Sequence, residues 1–441
     1  MIRPGSHAGL NAAERPAYGT VRLGDGRVVL RPWQLSDAPL MATACADPEI
    51  ALFCMMPAGY TTALARDFIA DAPRAWAEDG WLHLALTKPR GRRPLGAVGA
   101  LQGDPRLPNA DLGYWVMPEH RGRGLATAGV SLLTDWAFGT LGLRRLSIGT
   151  MVANEASRRI ARELGFTPEA LLRNDRPFGP TRTDCVVYSL LADEWRTRRA
   201  SGAEGRPQGP PPDEPRGMPP DETMGKPSDE TMGKPSDEAL LPALAAARTD
   251  YPAATPTLPA APPLLGDGAI VLRPYTEADL PDLVRACNDP ETQRWLFALP
   301  TPYTDIDARD FVARTTTGWR AANEAFFSIA DAASDRFLGG IALHGGEVWA
   351  GVAEIGYQIA PWARRRGVAT AAARLVAQWG LDVLGLARLQ ILADTRNVAS
   401  CGVAGKLGFV AEGLRRRDHG RPGDLGDHAV FSLLQTDPRP W

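Results

Sequence analysis

The sequence predicts two tandem domains of the α/β (α+β) class, each with a central sheet flanked by helices. The first observation is a repeat, because residues 111–127 recur as 354–370, an offset of 243. The second is that strand-like and helix-like segments follow one another in the same order around both copies. The third is length, since 441 residues suffice for two domains of about 170 residues that each bury a core.

The repeat covers whole domains rather than one short motif. The same offset pairs Asn154-x-x-Ser with Asn397-x-x-Ser, and it pairs Leu-Gly-Phe at 164–166 with 407–409. Upstream the offset is 242, which a single insertion or deletion in a surface loop explains. The chain is therefore predicted to divide into a flexible N-terminus (1–26), a first domain (27–196), a disordered Pro/Gly/acidic linker (197–264) and a second domain (265–437).

The linker prediction rests on composition. Pro, Gly, Asp, Glu and Ala dominate the segment, and the octapeptide 221–228 repeats at once as 229–236. Such a segment cannot bury enough apolar surface to offset the cost of ordering its backbone. A linker of about 65 residues would let the two domains pair within the chain or act on two acceptors, and the sequence does not choose between these arrangements.

Composition and charge exclude several classes of protein. With 44% hydrophobic and 23% charged residues and a formal net charge of -2, the chain has no basic field for nucleic acid. Its five cysteines show neither CxxC spacing nor clustered histidines, so we expect no disulfide framework and no metal. Without a signal peptide or an apolar run of about 18 residues, we expect a cytoplasmic protein that does not contact the membrane.

The repeated motif is predicted to bind a phosphate group. In each copy a strand is followed by Arg-x-x-Gly-x-Ala and then by a helix. Free backbone N–H groups, the positive end of the helix dipole and arginine donors therefore converge on one point, and glycine lets the backbone approach closely. A Rossmann or Walker A loop would need other glycine spacings. The predicted binding residues are Arg121, Gly122, Arg123, Gly124, Leu125 and Ala126 in the first copy, and Arg364, Arg365, Arg366, Gly367, Val368 and Ala369 in the second.

Taken together, these motifs resemble those of the GNAT acyltransferase superfamily, and in particular the Rim-type ribosomal-protein N-acetyltransferases. Both copies share the opening Leu-Arg-Pro, an acidic residue before Gly-Tyr, Asn-x-x-Ser and Leu-Gly-Phe. The resemblance implies a mixed, mostly antiparallel sheet in each domain, with a splayed strand pair that holds coenzyme A. It implies acetyl-CoA as co-substrate, no metal, and direct attack of a primary amine in a ternary complex. The amine could belong to a protein N-terminus or to a small molecule.

The resemblance also implies which residues contact the cofactor beyond the phosphate loop. Asn154 and Asn397 would contact the pantetheine arm. The backbone that ends in Val116, and its counterpart that ends in Ile359, would pair with the cofactor along the splayed strand. Backbone N–H donors near the thioester carbonyl would then stabilise the charge that develops on its oxygen.

Catalytic roles follow from the same resemblance. Glu354 would accept the amine proton, directly or through water, and Asp111 is its counterpart, one methylene shorter. Ser157 and Ser400 would donate a proton to the cofactor sulfur, although a serine near a helix start can instead cap backbone N–H groups. His419, in the loop before the last strand, is a rival base in the second copy.

An alternative interpretation makes only one copy an enzyme. In that case the other copy is a non-catalytic acyl-CoA-binding or scaffold module, and the shorter Asp111 favours the first copy for this role. Both phosphate loops are intact, so we expect both copies to bind cofactor.

Overall fold

The structure, a computed structural model, describes two compact units. The first unit contains residues 15–169 and 187–201, and the second contains residues 170–186 and the described residues from 251 onward. Most of the predicted linker lies outside the described residues. The residues described are 15–102, 104, 106–201, 251–252, 258–320, 324–344, 351–421 and 423–441.

The first unit is built around a sheet whose strands alternate with helices. Its strands are β1 (Leu23–Gly24), β2 (Val29–Pro32), β3 (Leu82–Thr87), β4 (Gly96–Leu101), β5 (Asn109–Val116), β6 (Arg145–Met151), β7 (Thr167–Phe178) and β8 (Thr181–Leu191). Its helices are α1 (Ala38–Cys45), α2 (Pro48–Phe53), α3 (Thr62–Arg74), α4 (Leu125–Gly139), α5 (Glu155–Glu163) and α6 (Ala192–Ala200). The hairpin ends of β7 and β8 belong to the second unit.

The second unit adds one short strand at its start and then repeats the order of elements from β1 to β8. Its strands are β9 (Tyr251–Pro252), β10 (Leu265–Gly266), β11 (Ile270–Arg273), β12 (Ala325–Asp331), β13 (Phe337–His344), β14 (Val352–Ile359), β15 (Arg388–Asp394), β16 (Val410–Arg421) and β17 (Asp424–Leu434). Its helices are α7 (Leu280–Cys287), α8 (Pro290–Trp295), α9 (Asp305–Arg320), α10 (Val368–Gln378) and α11 (Val398–Lys406).

One strand pair in each unit departs from antiparallel pairing. Strands β2 to β5 pair antiparallel in sequence order, whereas β5 pairs parallel with β6. That parallel pairing stops at Asp111 opposite Ser147, although both strands continue. In the second unit β14 and β15 pair in the same way and stop at Glu354 opposite Gln390. These observations confirm the prediction of a mixed, mostly antiparallel sheet.

The helix after the splayed strands begins and ends where the sequence indicates. Helix α5 follows Asn154, whose Oδ1 accepts a hydrogen bond from the Ser157 N–H at 3.1 Å. The chain leaves this helix at Gly165, where a φ of 80° favours glycine. Helix α11 begins in the same way, with Asn397 accepting from the Ser400 N–H at 3.1 Å. Asparagine is a preferred N-cap because its side chain satisfies an otherwise unpaired N–H.

The helix that follows each phosphate loop is held against the sheet by small side chains. In α10, Ala372, Ala373 and Ala377 are buried in the core of the second unit. Short side chains let the helix axis lie close to the strands, so the first turn of the helix is fixed relative to the strand before it. Trp379, at the end of this helix, stacks on Trp319 with ring centroids 6.0 Å apart and closes the core.

The prediction of a flexible N-terminus was wrong for residues 15–26. Tyr18 is buried there, and its hydroxyl donates to the carbonyl oxygen of His83 at 2.7 Å. Arg15 donates to the carbonyl oxygen of Trp76 at 2.9 Å. Isolated anchors of this kind have no periodic pattern, so local sequence does not reveal them. Helix α6 also extends across the predicted domain boundary at 196. The boundary was placed too early because the charged, exposed residues of this helix have the composition of a linker.

Each unit buries an ion pair at the base of its sheet. In the second unit Arg388 is fully buried and donates to both carboxylate oxygens of Glu412, at 2.8 and 2.6 Å. Ser432 and Arg173, in the same unit, also donate to this carboxylate. The first unit has Arg145 and Glu169 at the corresponding positions, 2.8 Å apart and equally buried. Buried charges of this kind are tolerated only when they are paired.

We predict that Glu412→Gln destabilises the second unit by about 3–5 kcal/mol, because it removes the carboxylate that pairs directly with the buried Arg388 guanidinium and leaves it the more distant Asp175, 3.8 Å from Arg388 Nε. The matched control is Glu277→Gln, which removes an exposed ion pair with Arg309 and should cost less than about 1 kcal/mol. Urea unfolding of the full chain, followed by intrinsic fluorescence, measures both. Equal unfolding midpoints for the two variants would contradict this account of the cluster.

Candidate functional site

The loop between β5 and α4 has the backbone of an anion site. Gly122 and Gly124 are both left-handed, with φ of 71° and 67°. In the second unit Arg365 and Gly367 are left-handed in the same positions, with φ of 59° and 80°. Left-handed residues at the start of a helix curl the chain, so that successive N–H groups face one concavity. A Cβ built on Gly122 or Gly367 would meet no atom within 4 Å, so the space beside these two glycines is open.

The first arginine of the loop does not present its side chain to that concavity. The Arg121 guanidinium pairs with Asp47 at 2.7 Å and with Glu49, and its Nε donates to the carbonyl oxygen of Val116 at 3.1 Å. These bonds tie the loop to helix α2 and to the end of β5. The Arg121 N–H donates to the carbonyl oxygen of Pro118 at 3.2 Å, so Arg123 and the amides that follow Arg121 are the remaining donors of the first loop.

The same anchor recurs in the second unit. Arg364 pairs with Asp289 at 2.6 Å and with Glu291 at 3.0 Å, and it donates to the carbonyl oxygen of Ile359 at 3.1 Å. Sequence reasoning missed this role. The available signal was the Asp-Pro-Glu triplet, which occurs in both copies about 73 residues before the arginine. Arg365 and Arg366 follow the anchor and lie in the open part of the loop.

The anchoring carboxylate stays charged at neutral pH. Burial alone would raise the pKa of Asp47, but the hydrogen bond from the Ile50 N–H and the Arg121 guanidinium outweigh it, and the net pKa is lowered. The pKa of Asp289 is lowered in the same way. A lowered pKa means that the anchor stabilises the fold fully above the ordinary aspartate pKa, and that this contribution is lost as the pH falls through the lowered value.

A tyrosine, a serine and an asparagine meet beside each splayed strand. The Tyr114 hydroxyl lies 2.8 Å from Ser157 Oγ, and the Tyr357 hydroxyl lies 2.9 Å from Ser400 Oγ. Asn154 supplies the helix cap in the first unit, so the serine side chain does not serve as the cap. Burial raises the pKa of each tyrosine to about 12, and the phenols are therefore protonated at neutral pH. Sequence analysis considered only the backbone of these tyrosines.

The predicted bases lie at the last paired position of the parallel strands. Glu354 accepts a hydrogen bond from the Gln390 amide at 3.1 Å and is half-buried. Asp111 accepts from the Ser147 hydroxyl and is exposed. Glu354 lies three residues before Tyr357, and side chains three apart on a strand point to opposite faces. The structure therefore brings Ser400 and Tyr357 together but places Glu354 on the other face of β14.

The rival base belongs to a cluster in the second unit. His419 Nδ1 lies 3.2 Å from an oxygen of Asp418, and its ring centroid is 5.4 Å from that of His428. The pKa of His428 is lowered mainly by burial, and repulsion from His419 lowers it further. The corresponding residues of the first copy are Arg176 and Cys185. The two copies therefore differ in titratable groups at this position.

The family assignment rests on the repeated fold and on one comparison. A family model described as acetyltransferase (GNAT) domain matches residues 27–167 and again residues 269–410, together well over half of the chain. The chain belongs to the GNAT acetyltransferase family. The predicted enzyme class, an N-acetyltransferase, is thereby confirmed, as is the tandem arrangement of its domains.

Several relatives of this GNAT protein carry N-acetyltransferase names. The putative ribosomal N-acetyltransferase YdaF of Bacillus subtilis is 38% identical over 86 residues, which is 20% of this chain and 47% of that protein, so the match spans about half of the relative's length. The uncharacterized N-acetyltransferase p20 of Bacillus licheniformis is 26% identical over 169 residues, 38% of this chain and 95% of its own length. Each match is no longer than one copy.

Solved structures also match over the length of one copy. A putative ribosomal-protein-serine acetyltransferase from Vibrio cholerae is 23% identical, with 39% of this chain and 97% of that chain covered and a TM-score of 0.34. A structure of the ribosomal L7/L12 alpha-N-protein acetyltransferase RimL in complex with coenzyme A is 17% identical, with 39% and 98% covered and a TM-score of 0.37.

Two features of other protein classes do not occur among the described residues. In the ranges that the structure describes, no three His, Cys, Asp or Glu side chains are grouped so that they could hold a metal ion. No helix in those ranges combines the length and the apolar surface that crossing a membrane requires.

We predict that Gly124→Glu abolishes protection of the loop amides by acetyl-CoA in the first unit. The new side chain would start beside Arg27, whose Nη2 lies 3.5 Å from the position of its Cβ, and its carboxylate would repel a phosphate at the loop. The matched control is Gly142→Glu, because Gly142 is also left-handed, with a φ of 67° and open space around it, but lies in the turn after α4. Hydrogen exchange of residues 121–126, measured with and without acetyl-CoA, tests this. Protection that survives in Gly124→Glu, or that is lost in the control, would contradict the placement of the site.

Proposed function

We propose that this protein transfers the acetyl group of acetyl-CoA to a primary amine by direct attack in a ternary complex. One observation carries the proposal. In each unit, parallel pairing stops part-way along a strand that leads into a left-handed loop at the start of a helix, so a gap between two strands would lead to an anion site. A long donor with a diphosphate at one end and a thioester at the other fits this arrangement.

Acetyl-CoA is consumed in the reaction and supplies the activated acetyl group. Its diphosphate would be held by the amides of residues 122–126 and 364–369, together with Arg123, Arg365 and Arg366. The N–H and C=O groups of β5 and β14 that lie beyond the parallel-paired segment and face the gap would hold the pantetheine arm, together with Asn154 and Asn397. The carbonyl oxygens of Val116 and Ile359 already accept from the loop arginines. Backbone pairing of this kind fixes the donor along the strand, and positioning alone can supply a large part of the rate enhancement.

In the second unit we assign proton removal from the amine to Glu354, directly or through water. The carboxylate lies where β14 and β15 separate, and the Gln390 amide orients it. Ser400 lies on the other face of the same strand and would donate to the departing sulfur. A reacting group in the gap beside β14 is accessible to both side chains, so their placement on opposite faces separates the two proton transfers.

The acceptor is a primary amine on a protein N-terminus or on a small molecule. The relative YdaF is named as a putative ribosomal N-acetyltransferase, which supports a protein N-terminus as the first acceptor to test. Fold and motif alone do not determine the acceptor. Peptides with a free amino terminus and small polyamines are therefore the two classes to compare.

A second proposal is that the first copy binds acetyl-CoA without catalysing transfer. Asp111 is shorter than Glu354 and accepts a hydrogen bond from the Ser147 hydroxyl. Arg176 and Cys185 replace the two histidines of the second copy. The first unit therefore offers fewer groups that can accept the proton of an amine, while its loop geometry matches that of the second.

We predict that Glu354→Gln, in a chain whose first loop is blocked by Gly124→Glu, lowers kcat by roughly 100-fold or more, because general base catalysis is lost. Asp111→Asn with Gly367→Glu tests the first copy in the same way. Acetylation of a peptide with a free N-terminal serine, followed by mass spectrometry, measures both. His419→Asn is the comparison variant in the second unit. Full activity of Glu354→Gln together with loss of activity in His419→Asn would show that His419, and not Glu354, is the base.

A further inference from the structure

Each unit holds its serine hydroxyl by a half-buried tyrosine at the corresponding position. In each unit the tyrosine and serine lie 43 residues apart, and their oxygens are 2.8 and 2.9 Å apart in the first and second units. The tyrosine oxygen also lies 3.4 Å from the carbonyl oxygen of the same serine in both units. The contact is therefore a repeated feature of the fold, although its residues come from separate elements.

The tyrosine comes from the unpaired part of the strand. Tyr114 lies three residues beyond Asp111, the last position at which β5 pairs with β6. It therefore lies on the stretch where the gap has opened and reaches across to the first turn of α5. Tyr357 has the same relation to Glu354 and α11. Each serine is fixed twice, because its N–H donates to the capping asparagine and its hydroxyl meets the phenol.

The phenol can act here in only one protonation state near neutral pH. Burial raises the pKa of Tyr357 to about 12, and the hydrogen bond to Ser400 opposes the rise only in part. A protonated phenol has one O–H to donate. When it donates to Ser400 Oγ, the serine uses a lone pair in that bond and its own O–H is left to donate elsewhere.

We propose that Tyr114 and Tyr357 are positioning residues that turn the hydroxyls of Ser157 and Ser400 toward the departing sulfur. The inference rests on the function proposed above and extends it to residues that act only through the serines. The tyrosines do not change protonation state during turnover.

The proton balance is complete with the groups already named. The amine nitrogen bonds to the carbonyl carbon, the carbon–sulfur bond breaks, and its electron pair leaves with the sulfur. The amine loses one proton to the carboxylate or to water. The sulfur takes the serine proton, and the serine regains a proton from solvent. The products are an amide and a thiol, and the phenol keeps its proton throughout.

The test uses the full chain with Gly124→Glu, so that only the second site contributes. Tyr357→Phe removes one hydroxyl and should lower kcat by roughly tenfold, about the effect of one hydrogen bond, while the Kd for acetyl-CoA from isothermal titration changes by less than about twofold. Thiol release from acetyl-CoA in the presence of a lysine-free hexapeptide with a free N-terminal serine reports kcat. Tyr275→Phe is the matched control, because the Tyr275 ring packs on Phe311 and Phe337.

The deciding comparison is made in a Ser400→Ala background. If Tyr357 acts through the serine, Tyr357→Phe has no further effect there, whereas a general structural role would lower kcat again. Unchanged kcat in the single variant, an equal loss in both backgrounds, or a loss matched by Tyr275→Phe would overturn the proposal. Absence of thiol release by the chain without these tyrosine and serine variants would instead sink the proposed function.

Discussion

Parallel pairing that stops after three residues is the constraint on which the rest of each site depends. If β5 and β6 paired over their full length, the strand N–H and C=O groups would be satisfied within the sheet and no gap would lead to the loop. Because parallel pairing ends at Asp111, the edge of β5 that faces β6 has no strand partner beyond that residue among the described residues, although its Val116 carbonyl oxygen accepts from Arg121. The catalytic candidates lie beside that edge, and the phosphate loop lies at its end.

The loop itself is fixed by longer-range contacts. Arg121 and Arg364 hold the loop against the carboxylates of a helix that precedes them by more than 70 residues. Small alanine side chains hold the following helix close to the sheet. The helix N-terminus and the end of the strand therefore keep a constant separation. The two carboxylates also neutralise the charge of the anchoring arginine, so the positive electrostatic potential at the loop comes from the remaining arginines and the amides.

Local patterns in the sequence were enough to predict the elements, the repeat and the loop. Asn154 and Gly165 mark the ends of α5 because capping and left-handed termini depend on one residue each. The contacts of Tyr114 with Ser157 and of Arg121 with Asp47 and Glu49 were not predictable, since each joins residues 43 to 74 positions apart. The buried Arg388–Glu412 pair was missed for another reason, because charged residues on strands are usually interpreted as solvent-exposed. The burial of Tyr18 was missed because a single anchoring aromatic residue produces no hydrophobic periodicity in the sequence.

The two copies share the parts that would hold the donor and differ in the parts that would handle the amine. Both have left-handed loops, capped helices and tyrosine–serine pairs. They differ in the carboxylate, which is Asp111 in the first copy and Glu354 in the second, and in the histidine cluster, which only the second copy has at these positions. The central claim is therefore that both units bind acetyl-CoA, whichever of them transfers it. The most direct measurement is the number of acetyl-CoA molecules bound per unmodified chain, from equilibrium titration at a protein concentration well above Kd. The account predicts two, and a value of one or zero would contradict it.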